Sequence, residues 1–422
     1  MAIKKTHHRT IVDVSDLIRW NGNLSGIQRV VAEMAYRYEK NGALFCYYDE
    51  STQSFYSLAS FSELMQERSS VVTQTSAPAV EVVSTLKQIR GAVKTQLVPL
   101  IAQRAAGKLK RVIAENRRDA TTSEVVEAFE FKPNDNLLVF GAHWDKPHYV
   151  EVLTAIKQKY DLKIAHNIND VIPIVDKGHV AEVEHTRFPK YIESISKLSE
   201  VIYVISDATK KDYINFLKQK NIKQPVIKKI TLGENYTATD PVMPQGFNED
   251  LDYILMVGTV EVRKNHALLY STYKRAFEQG IDLPKLVIVG RQGWLSGDIF
   301  YQMVHDTDVS DKFVFLNNAN DSELSWLYQH CMFTVFAAFY EGWGLPIAEA
   351  AHYGKVSALS NTSSIPEVVG KAAVYFSPYS ADECLSALQT LLDTSSLAKY
   401  EALIAKRIPA TWDETYVQSL NN

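Results

Sequence analysis

The sequence predicts an α/β protein of two domains, each built on a parallel sheet. Three observations carry this. Short β-branched or apolar runs alternate with helical stretches along both halves of the chain, the signature of repeated strand–helix units. Several runs, such as YILMV (253–257) and LVIVG (286–290), are apolar throughout, as suits strands buried on both faces. At 422 residues the chain exceeds one ordinary core and fits two large domains, and PVMPQGFNED (241–250), with its prolines and glycine, reads as the linker between them.

In chain order, the first-half strands are expected at 10–17 (TIVDVSDL), 43–50 (ALFCYYDE), 136–143 (NLLVFGAH), 162–170 (LKIAHNIND) and 201–206 (VIYVIS). Those of the second half are expected at 252–259 (DYILMVGT), 285–291 (KLVIVGR), 313–318 (FVFLNN), 333–339 (FTVFAAF) and 356–360 (VSALS). The first domain then covers 1–243 and the second 250–407, with 408–422 as a final helix. Residues 62–125 break the alternation. There Leu86, Ile89, Val93, Leu97, Ile101, Ala105, Leu109 and Val112 recur at three- and four-residue steps, Pro99 interrupts them, and basic residues outnumber acidic ones. This insertion reads in two ways: a basic amphipathic helix over 81–118 lying on an anionic membrane surface, or a helical hairpin packed on the first domain with a solvated basic face.

A net charge of −4 gives no overall reason to expect a nucleic-acid partner. The three cysteines are far apart and match no metal spacing, which fits a reducing compartment. MAIKKTHHRT lacks the apolar core of a signal peptide, and no run approaches the ~20 apolar residues of a membrane span. A cytoplasmic protein is expected, with the inner face of the plasma membrane as a peripheral site if the insertion binds lipid.

Chemistry concentrates in four segments of the second half, each at a strand end, where open α/β sheets bind ligands. In VGTVEVRKNHALL (257–269) Arg263 and Lys264 open a helix, where the dipole disfavours cations unless an anion lies among them. In LVIVGRQGW (286–294) Gly290 and Gly293 permit a tight turn, with Arg291 beside them. SNTSSIPEVVG (360–370) places Ser363, Ser364 and Glu367 in a capping-box pattern, a helix end that suits a phosphate equally well. EGWGLPIAEA (341–350) sets Glu341 on a loop and Glu349 in the helix that Pro346 begins, beyond an apolar strand. Carboxylates in a cleft without cationic partners bind hydroxyls, and the cations would meet phosphate. A ligand with both is a nucleotide sugar.

With these motifs the chain resembles glycosyltransferase family 4, whose members have the GT-B fold: two Rossmann-like domains with parallel sheets facing a central cleft. The second half matches nearly throughout, and EGWGLPIAE has the family's Glu-x7-Glu form. In the first half DVSDLIRWNGNLSGIQRVVAEM resembles the glycine-containing loop and first helix. IAHNINDVIPI resembles a segment that often reads His-Asp, although here it reads Asn169-Asp170, with His166 displaced. RIPATWDETYVQSL resembles the C-terminal helix that crosses back to the first domain.

The resemblance implies a retaining hexosyltransferase that needs no cofactor and no metal. Its donor would be a nucleotide sugar, GDP-mannose or dTDP-rhamnose, and its acceptor an oligosaccharide or lipid-linked saccharide of bacterial O-antigen, lipopolysaccharide or capsule synthesis. Arg263 and Lys264 would contact the donor diphosphate and stabilise its departure. Glu341 would lie by the donor sugar and Glu349 would hold the ribose. Gly26, beside Asn23 and Ser25, would bring a helix N-terminus from the opposite domain. Gly258, Gly290, Arg291, Gly342, Gly344, Leu345 and Ser364 would complete the donor site, and Asp170 or His166 would meet the acceptor hydroxyl. Two alternatives share parts of this pattern: a GT-B nucleotide-sugar epimerase, which needs no large acceptor surface, and a catalytically silent partner subunit.

Overall fold

The computed structural model describes residues 8–18, 20, 24, 26–66, 127–234, 240–317 and 319–420. The chain divides into two compact units, residues 1–61 with 130–422 and residues 62–129, and the elements below belong to the larger. The expected insertion beyond Gln66, including the stretch 81–118, lies outside the described residues.

The larger unit carries two sheets. The first has seven strands: β1 Thr10–Asp13, β2 Leu44–Asp49, β3 Ser54–Leu58, β4 Asn136–Val139, β5 Lys163–Ile168, β6 Val201–Val204 and β7 Val226–Lys229, in the order β3-β2-β1-β4-β5-β6-β7. The second has six: β8 Tyr253–Val257, β9 Lys285–Val289, β10 Phe313–Leu316, β11 Thr334–Phe336, β12 Ser357–Ser360 and β13 Val374–Phe376, in the order β10-β9-β8-β11-β12-β13. Every described pairing is parallel except β2 with β3. β6 is buried along its whole length and β8 along all but its last residue, as suits strands of a parallel sheet covered on both faces.

The local departures from the sequence reading have local causes. β1 stops four residues early because Asp13 accepts the Ser15 amide at 2.8 Å, and this turn starts the short helix Ser15–Ile18. β3 was not anticipated. It is the return arm of a hairpin whose turn is set by Asp49, which accepts the amides of Ser51 and Thr52 at 2.9 and 3.0 Å. β7 (VIKK) is an edge strand, half-exposed and lysine-bearing, so it lacks the apolar run that marks its neighbours.

The last helix, Trp412–Leu420, returns to the first sheet's lobe. Tyr38 of the helix Ile27–Lys40 shares a 2.8 Å hydrogen bond with Ser419, Tyr203 donates to the Ser419 carbonyl at 2.6 Å, and the Thr231 amide donates to Gln418 at 2.7 Å. Trp412 is fully buried where Gly233 leaves space: a Cβ on Gly233 would stand 2.4 Å from the indole. Trp412→Ala should therefore cost about 3–5 kcal/mol, the usual range for emptying a buried aromatic site. A urea-unfolding series measures it, and a cost below 1 kcal/mol would show that the returning helix is not anchored there.

Candidate active site

β8 delivers the chain to Gly258, and Val262–Lys264 then make a single 3₁₀ turn. Asn265, at φ 60°, ends that turn and caps the helix His266–Glu278, its side chain accepting from the Leu268 amide at 3.3 Å. Its amide group also donates to the carbonyls of Ala337 at 3.1 Å and Pro378 at 2.8 Å. One asparagine thus ties the strand end to two other segments and holds the preceding cations in place.

Those cations converge on Glu341. Arg263 Nη1 lies 2.7 Å from Glu341 Oε1 and 2.8 Å from the Tyr340 carbonyl, its Nη2 lies 2.7 Å from Glu261 Oε1, and Lys264 Nζ lies 2.5 Å from Glu341 Oε1. Burial works against the Glu341 charge, but Arg263 and Lys264 overcome it and hold its carboxyl below the usual range. Glu341 Oε2 makes no hydrogen bond among the described residues. The expectation of a carboxylate without cationic partners is thus corrected. One oxygen is committed to the cations, and the other keeps its capacity to accept a hydrogen bond.

The loop carrying Glu341 is braced from behind. Ser363 accepts the Glu341 amide at 2.9 Å, and Ser364 donates to the carbonyls of Glu341 and Trp343 at 2.8 and 3.2 Å. The two serines therefore do not form the anticipated capping box with Glu367. That carboxylate reaches the first lobe instead, accepting the amides of Asp207 and Ala208, both at 2.8 Å, at the start of the helix Asp207–Gln219. Glu349 sits in the helix Leu345–His352, buried, and accepts from Tyr328 at 2.9 Å. Glu341 and Glu349 come from a loop and a helix, as the Leu-Pro step suggested.

Two glycines make close approaches. A Cβ on Gly290 would meet the Gly258 carbonyl oxygen at 2.1 Å, so the ends of β8 and β9 can touch only without side chains. A Cβ on Gly342 would meet the Asn169 carbonyl oxygen at 2.1 Å and Asp170 Cβ at 2.9 Å. The two lobes are therefore in backbone contact beside Glu341. Asp170 feels the charges of Arg263, Glu341 and Lys264; burial raises its pKa, partly offset by Arg263.

The other expected residues fall in different places. Leu345 and Gly344 open the Glu349 helix, and Gly26 precedes the helix Ile27–Lys40 at φ 52°; Asn23 and Ser25 lie outside the described residues. Arg291 is exposed and forms no ion pair among the described residues. His166 does not fit an acceptor contact. It is 1% exposed within β5, with Nδ1 bound to Ser199 at 2.7 Å. Sequence reasoning missed Glu261, the second partner of Arg263, and Tyr340, whose hydroxyl bonds Asp212 across the lobes. Glu261 had a visible signal, since it stands two residues before Arg263.

Residues 243–407 match the family model described as glycosyl transferases group 1. Curated relatives of the chain include the O-antigen chain mannosyltransferase B of Escherichia coli, 34% identical over 174 residues, or 40% of this chain and 45% of the relative. The serotype-specific mannosyltransferase WbdA of Escherichia coli is 24% identical over 53% of this chain and 29% of its own length. The chain thus spans less than half the length of these curated relatives. Among solved structures, sucrose-phosphate synthase from Thermosynechococcus elongatus aligns over 98% of this chain and 97% of its own, with TM-score 0.61 and 15% identity. Anabaena HepE in complex with UDP and glucose aligns over 98% of each chain, with TM-score 0.61 and 12% identity. At these identities the likeness shows the fold alone, GT-B, with the stretch matched by the family model as its second lobe.

Burial of His166 has a measurable consequence. Its pKa is pushed down to about 3 by desolvation, so the folded protein keeps the ring neutral while the unfolded chain takes up a proton below the ordinary value near 6.5. Its contribution to stability is therefore lost as pH falls from 6.5 towards 3. At pH 5 that loss is about 2 kcal/mol. In His166→Gln the drop in urea-unfolding free energy between pH 7 and pH 5 should shrink by about that amount; an unchanged drop would contradict the placement.

Proposed function

We propose that this chain is a retaining glycosyltransferase. It moves a hexose, mannose before rhamnose, from a nucleotide sugar to a saccharide or lipid-linked saccharide acceptor in bacterial surface polysaccharide synthesis. The observation that carries this reading is the triad in which Arg263 and Lys264 share Glu341 Oε1 while Glu341 Oε2 remains open. The cations are suited to a diphosphate, and the open oxygen to a sugar hydroxyl, at one point on the carboxyl ends of the strands. The mannosyltransferase names of the relatives favour GDP-mannose over dTDP-rhamnose as donor.

In this reading the departing nucleoside diphosphate takes over the charges that Glu341 holds, and Arg263 and Lys264 stabilise the negative charge that develops on it. Glu349, fixed by Tyr328, anchors the ribose. The acceptor hydroxyl enters from the first lobe past Asp170 and attacks from the face the diphosphate leaves, so the anomeric configuration is retained. Its proton passes to the departing phosphate oxygen. No metal is required, because side chains supply the positive charge.

A thermal-shift panel of nucleotide sugars tests the donor assignment. GDP-mannose at a hundred times its Kd should stabilise the fold by ~2.7 kcal/mol, and flat responses to all donors would overturn it. Lys264→Ala should lower the transfer rate roughly 10²–10³-fold, as loss of one preorganised stabiliser does elsewhere. Normal turnover by that variant would remove Lys264 from the chemistry.

A further inference from the structure

A second polar cluster lies outside the triad, at the carboxyl ends of β1 and β4. These two strands are neighbours in the sheet, and from them the order runs outward in opposite directions, to β2 on one side and β5 on the other. This is the topological switch point, where open α/β sheets take ligands.

Its base is rigid. Asp13, fully buried, accepts the amide and hydroxyl of Ser15 and the Tyr149 hydroxyl at 2.7 Å, with His143 Nε2 at 3.3 Å. The His143 ring stacks on Tyr149 with centroids 4.2 Å apart. Above this base the bonding is incomplete. The Asp16 side chain is only 8% exposed; its Oδ2 accepts the Ala142 amide at 2.5 Å, but among the described residues the nearest cation to Oδ1 is Lys146 Nζ, 4.0 Å away and beyond hydrogen-bond reach. Lys146 Nζ makes no hydrogen bond among the described residues, and His143 Nδ1 is buried without a partner. Asp16 Oδ1 keeps an opening to solvent, where a ligand hydroxyl or a water can donate to it. Trp144, on the same loop, is half-buried and held edge-on against Phe188 at 5.0 Å.

We infer that Asp16, Lys146 and Trp144 form a saccharide-acceptor subsite on the first lobe. A carboxylate oxygen and an ammonium together receive and donate hydrogen bonds to vicinal hydroxyls, and a fixed indole covers the apolar face of a pyranose. The cluster is continuous with the triad. The Asn169 side chain reaches the Phe140 carbonyl at the end of β4, and the next residue, Asp170, touches Gly342. Two strand spacings of ~4.8 Å place the β1 end roughly 10 Å from the β5 end, so the subsite holds a sugar unit behind the reacting one. This inference rests on the glycosyltransferase reading, whose donor half is tested separately on the same samples.

The experiment titrates methyl α-mannoside, methyl α-rhamnoside and α-linked mannobiose into the full chain, following tryptophan fluorescence and saturation-transfer NMR. The unaltered chain should bind at least one of them. Asp16→Asn and Trp144→Ala should each weaken that binding at least tenfold while the thermal shift with GDP-mannose stays as in the unaltered chain. If Asp16→Asn fails to fold, Trp144→Ala and Lys146→Met carry the test. Saccharide binding unchanged in the folded variants, or none in the unaltered chain, overturns the subsite. Saccharide binding that the variants lose, in a chain silent towards every nucleotide sugar, supports the subsite and counts against the donor reading.

Discussion

The ion triad of Arg263, Lys264 and Glu341 is the constraint to which the surrounding structure answers. All three side chains are largely withdrawn from water, at 14%, 11% and 10% exposure. Removing charges from water is expensive, and well-packed apolar residues in their place are often no less stable. Stability therefore gives little reason for the arrangement. Glu261 adds a second carboxylate to Arg263, and burial raises its pKa against the pull of Arg263 and Lys264. The site thus stores two cations neutralised by the protein's own carboxylates, and in the proposed reaction an incoming diphosphate replaces one of them.

The loop that carries Glu341 also carries the contact between the lobes. Phe339 stacks on His179 with ring centroids 4.2 Å apart, Tyr340 bonds Asp212, and Gly342 abuts the backbone of Asn169. Nearby, Glu367 satisfies the first amides of the helix Asp207–Gln219, a position that favours negative charge. Four consecutive residues of the second lobe therefore set both the charge of the site and the seat of the first lobe. A ligand that moves Glu341 acts on the same loop that holds Asp170 in place.

Much of this was legible in the sequence because it rests on local pattern. The all-apolar runs of β6, β8 and β9 marked buried parallel strands, and the Leu345-Pro346 step separated Glu349 from Glu341 on a helix and a loop. What was not legible depends on partners distant in sequence. Ser364 and Glu367 carry a capping pattern, but Ser364 serves a loop more than twenty residues away and Glu367 serves the other lobe. The family resemblance offered His166 as an acceptor contact; only the packing of Ser199 and the neighbouring strands shows it to be interior. The ion pairs of Glu341 span 77 and 78 positions, a separation that spacing arguments do not reach.

The central claim is that Glu341 holds the cations a donor diphosphate would take. Calorimetric titration of GDP into the unaltered chain and into Glu341→Gln tests it most directly. With the carboxylate neutralised, Arg263 and Lys264 are released for the ligand, and GDP should bind at least tenfold more tightly, with the gain fading as salt screens the cations. Equal or weaker binding by Glu341→Gln would mean that the carboxylate does not compete with phosphate, and the triad would then be a structural ion pair.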